Sequence, residues 1–212
     1  MARYKSDIRA SVRDTLRDEF EEGVDLEWED DELDRLIALT LGEIEQKMPY
    51  EVKVTTLDDG LSTAIVTTAD SKEIDISEIN DLIRLRKNKG VEYRTGKNPK
   101  QFRNWTRFAD VLTMDINFLP SADEAVHLYC LKKHTLTDNT STLRSEHETV
   151  LIQGVTARAA INKGREQLNA LNVGGVNVGP RMVTWGNEQL GLYRMALKHH
   201  ALQDYYEALP KD

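Results

Sequence analysis

The chain has 212 residues, 40% hydrophobic and 30% charged, a length that suits one or two domains and a polarity, at mean hydropathy −0.53, that suggests an elongated shape or apolar surface covered by partners. Its formal net charge of −8 argues against general wrapping of duplex nucleic acid, which needs a basic face. The lone Cys130 rules out an internal disulfide and points to a reducing compartment, while the absence of a signal-peptide core or of a run of about 18 apolar residues predicts a soluble intracellular or particle-borne protein.

The first predicted helix runs from about Tyr4 to Phe20, with Tyr4, Ile8, Val12, Leu16 and Phe20 on one face and Gly23 as a stop. The charge is concentrated here: residues 1–50 hold 7 basic and 15 acidic side chains, and Asp18 to Asp34 contains eleven carboxylates without a Lys or Arg. No D-x-[DN]-x-[DN]-G calcium spacing occurs in that run, so it reads as a solvated face plus helix-start charge. A second helix from Asp30 or Asp31 to Lys47 follows, its acidic first turn favoured by the macrodipole, its apolar stripe formed by Leu33, Leu36, Ile37, Leu41 and Ile44, and its end set by Pro49.

From Tyr50 the apolar period changes to two. Val52 and Val54, Leu61 to Thr68, and Ile74 with Ile76 read as strands. Leu82–Arg86 and Val91–Tyr93 around Asn88-Lys89-Gly90 read as a hairpin, and Val111–Leu119 with Ala125–Lys133 around Pro120–Asp123 as another. Helix returns at Ser145, where Glu148 stands at capping-box spacing, and continues to about Leu171. A Gly- and Asn-rich loop to Pro180 precedes a last helix from about Asn187 to Leu209. The predicted class is α+β: a four-helix core from residues 1–49 and 136–212, two helices from each end, with an antiparallel β lobe of five to seven strands, residues 50–135, inserted between helices 2 and 3.

No nucleophile elbow is present, and Cys130 in an alternating strand reads as a packing residue. His147-Glu148 opens an H-E-x-x-H pattern that fails at Leu151. Adjacent His199 and His200 point about 100° apart on a helix and cannot share one metal, and His127 and His134 have no evident partners. The Gly174-Gly175 loop lacks the Gly-Lys of a phosphate-binding loop and follows a helix rather than a strand; it reads as a connection that could order against a neighbouring subunit. No catalytic residue, metal site or cofactor is predicted. Lys97, Lys100, Arg103 and Arg107 interleave with Phe102, Trp105 and Phe108. Such a row can stack on single-stranded nucleic acid, but Arg and Trp are also the usual anchors of protein interfaces, and the interface reading of Arg103, Trp105, Arg107 and Phe108 is preferred.

Several features together resemble a known family. Trp28-Glu29-Asp30-Asp31-Glu32-Leu33 sets a tryptophan before an acidic, Leu-rich helix. Ile116 to Asp123 and His127-Leu128-Tyr129 form a strand, Pro loop and strand; Leu136-Thr137-Asp138 then leads to a helix containing Leu151-Ile152-Gln153-Gly154-Val155, and the last helix carries Tyr193 and Tyr205-Tyr206. The layout resembles that of the head-to-tail adaptor, or connector, proteins of tailed bacteriophages, with a larger β lobe than the all-helical members.

The resemblance implies a virion structural protein at the head–tail interface, made in the host cytoplasm, without enzymatic activity. It implies a homo-oligomeric, twelve-fold ring under the portal protein that extends the DNA channel and docks tail, stopper or neck proteins, with DNA passing unbound and no membrane involved. Interface candidates are then Arg103, Trp105, Arg107, Phe108, Gly174, Gly175, Val178, Tyr205 and Tyr206, and Glu21, Glu22, Asp25 and Glu27 are candidates for acidic channel walls. The alternatives are another tail or neck completion protein, a small enzyme using His147, Glu148 and Asp138, and a nucleic-acid module using Lys97 to Arg107.

Overall fold

Two amphipathic patterns, one helical and one alternating, sort the chain into two units: Met1–Met48 with His134–Asp212, and Pro49–Lys133. The computed structural model describes residues 3–17, 28–55, 73–77, 79–86, 89–93, 101–115, 126–169 and 178–207. The predicted strand over Leu61–Thr68, the Gly23 stop and the loop from Pro120 to Asp123 lie outside the described residues.

The first unit contains α1 (Lys5–Leu16), α2 (Asp30–Lys47), α3 (Ser145–Asn169) and α4 (Val178–Glu207). Helix α1 starts where Asp7 Oδ2 accepts the Tyr4 N–H at 2.8 Å. It ends four residues earlier than its apolar stripe predicts, because Arg17 turns into the left-handed region at φ 58° and its N–H closes on the Arg13 and Asp14 carbonyls. Helix α2 keeps its predicted bounds. Ile8 and Val12 of α1, Leu33, Leu36, Ile37 and Ile44 of α2, Val150, Leu151, Val155 and Ala159 of α3 and Tyr193 of α4 meet in one core with Trp28, Met48 and Leu143.

Two helix starts differ from the sequence reading. Ser145 and Glu148 do not form the predicted capping box: Ser145 is already helical, the Glu148 N–H closes on the Arg144 carbonyl at 3.0 Å, and Glu148 Oε1 accepts the Arg3 N–H at 2.8 Å. Helix α4 begins at Val178, nine residues before Asn187. Pro180 falls in its first turn, where no intrahelical N–H is needed, and Gly179 and Gly186 are contact residues rather than breakers. A Cβ on Gly186 would lie 2.7 Å from Ile161 Cγ1 and 2.9 Å from the Ala157 carbonyl, and one on Gly164 would lie 2.8 Å from the Gly179 carbonyl. Helices α3 and α4 therefore pack backbone to backbone. Gly186→Ala is expected to cost about 1–3 kcal/mol through overpacking, whereas Gly191→Ala, with nothing within 4 Å of its Cβ, is expected to gain up to about 1 kcal/mol of helix propensity; paired thermal melts compare the two.

The second unit holds eight strands among the described residues: β1 (Tyr50–Thr55), β2 (Glu73–Asp75), β3 (Leu82–Leu85), β4 (Val91–Tyr93), β5 (Gln101–Phe102), β6 (Trp105–Phe108), β7 (Val111–Met114) and β8 (Val126–Lys132). All their pairings are antiparallel. β8 is central, flanked by β1 on one edge and by β3 and β4 in succession on the other, with β5 beyond β4; β2, β7 and β6 form a second sheet. Val126, Leu128 and Cys130 alternate inward to meet Ile74, Leu112 and Met114 of the second sheet in a shared core. Burial pushes the Cys130 thiol up to about 11, as befits a packing residue.

Among the described residues neither predicted hairpin forms. Strands β3 and β4 run in the same direction along β8, and the Arg86 N–H and Gly90 carbonyl both bond to Tyr129, at 3.0 and 2.8 Å. Strands β3 and β4 thus follow one another along the same side of β8, and residues 87 and 88 between them lie outside the described residues. Gly90 is required there, since a Cβ would lie 2.4 Å from the Arg86 carbonyl. Strand β7 pairs with β2 and β6 rather than with β8. The described part of the Lys97–Phe108 stretch supplies strands β5 and β6.

Candidate interaction surfaces

The predicted basic and aromatic row is divided by the pleat. Trp105 and Arg107 stand opposite Met114 and Leu112, on the core-facing side of the second sheet, while Phe108 stands opposite Val111 on the outer side. Trp105 packs against the core. Arg107 Nε donates to the Ala109 carbonyl at 2.8 Å, bracing a turn whose Ala109 has φ 51°. The Arg103 N–H donates to the Val91 carbonyl at 2.9 Å. Phe108 is 88% exposed beside a 38% exposed Val111, so the hairpin of β6 and β7 ends in an apolar tip. Lys97 and Lys100 lie outside the described residues.

A second apolar surface lies on α4. Trp185, Leu192 and Met195, separated by seven and three residues, share one face and are 37%, 49% and 70% exposed. Sequence reading missed this stripe because it started the helix after Trp185. Val178, 47% exposed, opens the helix, and Tyr205 and Tyr206 fall in its last turn. Gly174, Gly175, Glu21, Glu22, Asp25 and Glu27 lie outside the described residues.

The described part of the acidic run is partly neutralised by α1. Asp30 accepts from Arg9 at 2.8 Å and Arg13 at 2.6 Å, and Asp34 pairs with Lys5 at 2.6 Å. The Arg13 hydrogen bond, aided by the charges of Arg9 and Lys5, holds the Asp30 carboxyl below its ordinary range. Alternating Lys and Arg on α1 thus face the acidic start of α2, a cross-helix match rather than a purely solvated face.

The three residues of the enzyme alternative have separate engagements. Glu148 is buried against the Arg3 N–H, and Asp138 is exposed and accepts from Arg9 at 3.3 Å. His147 is 5% exposed, with Nδ1 lacking a hydrogen-bond partner. It belongs instead to a row of rings: His134, His147, His200 and His199, with successive centroids 5.7, 6.4 and 5.8 Å apart. Burial, then the proximity of His134, pushes His147 down to about 4. His134 Nε2–H donates to the Met48 carbonyl at 2.9 Å and its backbone N–H donates to Glu45 Oε1 at 2.9 Å, while His127 Nδ1 pairs with Thr55 Oγ1 at 3.0 Å. Among the described residues no group of three His, Cys, Asp or Glu side chains could hold a metal.

One polar network has no counterpart in the sequence reading. Arg158 of α3 donates to Glu43 Oε2 at 2.7 Å and Thr40 Oγ1 at 3.1 Å, and the Tyr193 hydroxyl donates to the same Glu43 oxygen at 3.0 Å. Burial and the Glu43 charge push the Tyr193 phenol well up. This ties α2, α3 and α4 together and presents no free reactive group. No family model and no curated protein matches this chain.

Proposed function

We propose that this chain is a virion structural protein, a head-to-tail adaptor that forms a ring under the portal of a tailed bacteriophage, extends the DNA channel and docks tail or neck proteins. On this reading the four helices are the core and residues 50–135 a lobe set between α2 and α3. The observation that carries it is the presence of two different exposed apolar surfaces, Trp185-Leu192-Met195 on α4 and Phe108-Val111 on the β6–β7 hairpin. A closed ring needs two unlike, complementary patches per subunit, and exposed apolar patches mark such contacts. Among the described residues no helix is long and apolar enough to cross a membrane.

The test is mass photometry of the purified chain, alone and mixed with the portal protein of the same genome. The expected result is a complex with as many copies of this chain as the portal has subunits, weakened by Leu192→Ser with Met195→Ser. A chain that ignores the portal overturns the adaptor reading and moves it to another tail or neck position.

A further inference from the structure

Helices α1, α3 and α4 line an open cleft of about 510 Å³. Its lining is mostly neutral and hydrogen-bonding: Thr149, Gln153 and Thr156 from α3 and Gln189 from α4, with Trp185 as one wall and Ile152 among the apolar residues. Arg3 and Asp14 add one charge of each sign. Trp185 also lines a second, separate depression of about 290 Å³ with Arg181 and Glu188.

Thr156 sets the cleft apart from ordinary helix surface. Threonine in a helix commonly bonds its hydroxyl to the carbonyl four residues back. Thr15, Thr40, Thr149 and Thr184 all do so here, to Ser11, Leu36, Ser145 and Pro180, at 2.7–3.3 Å. Thr156 does not. It is 2% exposed, and its Oγ1 is buried without a hydrogen-bond partner. A buried hydroxyl held off its own backbone in the wall of a cavity is unusual, since nearly all such groups are satisfied.

We infer that this cleft binds an extended segment of a partner polypeptide through its main chain. Amides and hydroxyls both donate and accept, which matches a backbone that presents N–H and C=O groups in alternation. The α3 wall from Thr149 to Thr156 is about 10 Å long at 1.5 Å per residue, and three residues of extended chain span about the same distance. With Arg3 and Asp14 offsetting each other, the lining selects no net charge. This goes beyond the ring proposal and does not depend on it.

The probe is an array of random acetylated, amidated hexapeptides incubated with the full chain, followed by fluorescence titration of the best binder against Trp185. The expected result is a micromolar Kd that weakens at least tenfold in Thr156→Val and in Gln153→Ala and stays unchanged in Leu39→Ser, an exposed α2 position outside the cleft. Trp185→Phe should remove the fluorescence change, and thermal melts establish that each variant is folded. Absence of any binding hexapeptide overturns the inference, as does binding that Thr156→Val and Gln153→Ala together leave intact. A response to chitotetraose or maltotetraose without a peptide response overturns it in favour of a saccharide site.

Discussion

Replacing Trp28 by alanine is expected to remove about 3–5 kcal/mol of stability, the range for emptying a large aromatic site in a core. Trp28 is 1% exposed and packs in the helical core; its indole Nε1–H donates to the Ala159 carbonyl at 3.3 Å, and its own carbonyl accepts from Arg13 at 2.8 Å. It therefore joins α1 to α3 through one residue preceding α2. Trp28→Phe keeps much of the volume and loses the hydrogen bond, so about 1 kcal/mol of its cost comes from that bond. Denaturant titration followed by the helical circular-dichroism signal separates the two variants. A Trp28→Ala loss below about 1 kcal/mol would show that the ring does not seat in the core.

The second large effect is acid lability from His147. In the folded chain its imidazole stays neutral down to about pH 4, because burial and the nearby His134 oppose its charging, Arg144 and His200 add to that opposition, and only Glu146 favours the charged form. The unfolded chain takes up the proton near the ordinary histidine value of 6.5. Between those values the unfolded state binds more protons, so stability is full above about pH 6.5 and falls as the pH drops toward 4. The limit is about 3 kcal/mol, since stability changes by at most about 1.4 kcal/mol for each pH unit crossed between the two values. His147→Met, which removes the titrating group and an unpartnered Nδ1, should flatten this part of the curve. Denaturant midpoints at pH 7, 6, 5 and 4 for both proteins check it; equal acid losses would refute the assignment. Should the chain prove to have an activity that His147→Met abolishes at unchanged stability, the enzyme alternative would return.

Helix α2 was legible because one stripe, an acidic first turn and a proline all mark the same bounds. Strand pairing was not. A period of two identifies which side chains face inward, as at Val126, Leu128 and Cys130, but carries no information on the partner strand. Asn88-Lys89-Gly90 has turn chemistry, but only the shared partner Tyr129 of Arg86 and Gly90 shows that the flanking strands do not pair with each other. The start of α4 was hidden because Gly179, Pro180 and Gly186 look like breakers until the facing backbone of α3 is in place. The histidine row and the cleft are non-local: residues 134, 147 and 200 come from three separate segments, and the cleft draws on three helices. Of the predicted interface residues, the alternation rule applied to a strand over Trp105–Phe108 would have separated Trp105 from Phe108.

His134 has a consequence for the chain as a whole. By bonding the Met48 carbonyl and Glu45, it fastens together the two points at which the backbone leaves and rejoins the helical unit. Tyr50 and Lys132, just beyond them, are register partners in β1 and β8, so the excursion starts and ends side by side. Closing a loop costs only about 0.6 kcal/mol more for each doubling of its length. A helical unit whose ends are already tied is thus nearly indifferent to how much polypeptide hangs between them, and insertions or deletions between Pro49 and Lys133 can change the size of the strand-rich part over evolutionary time without loosening the helices.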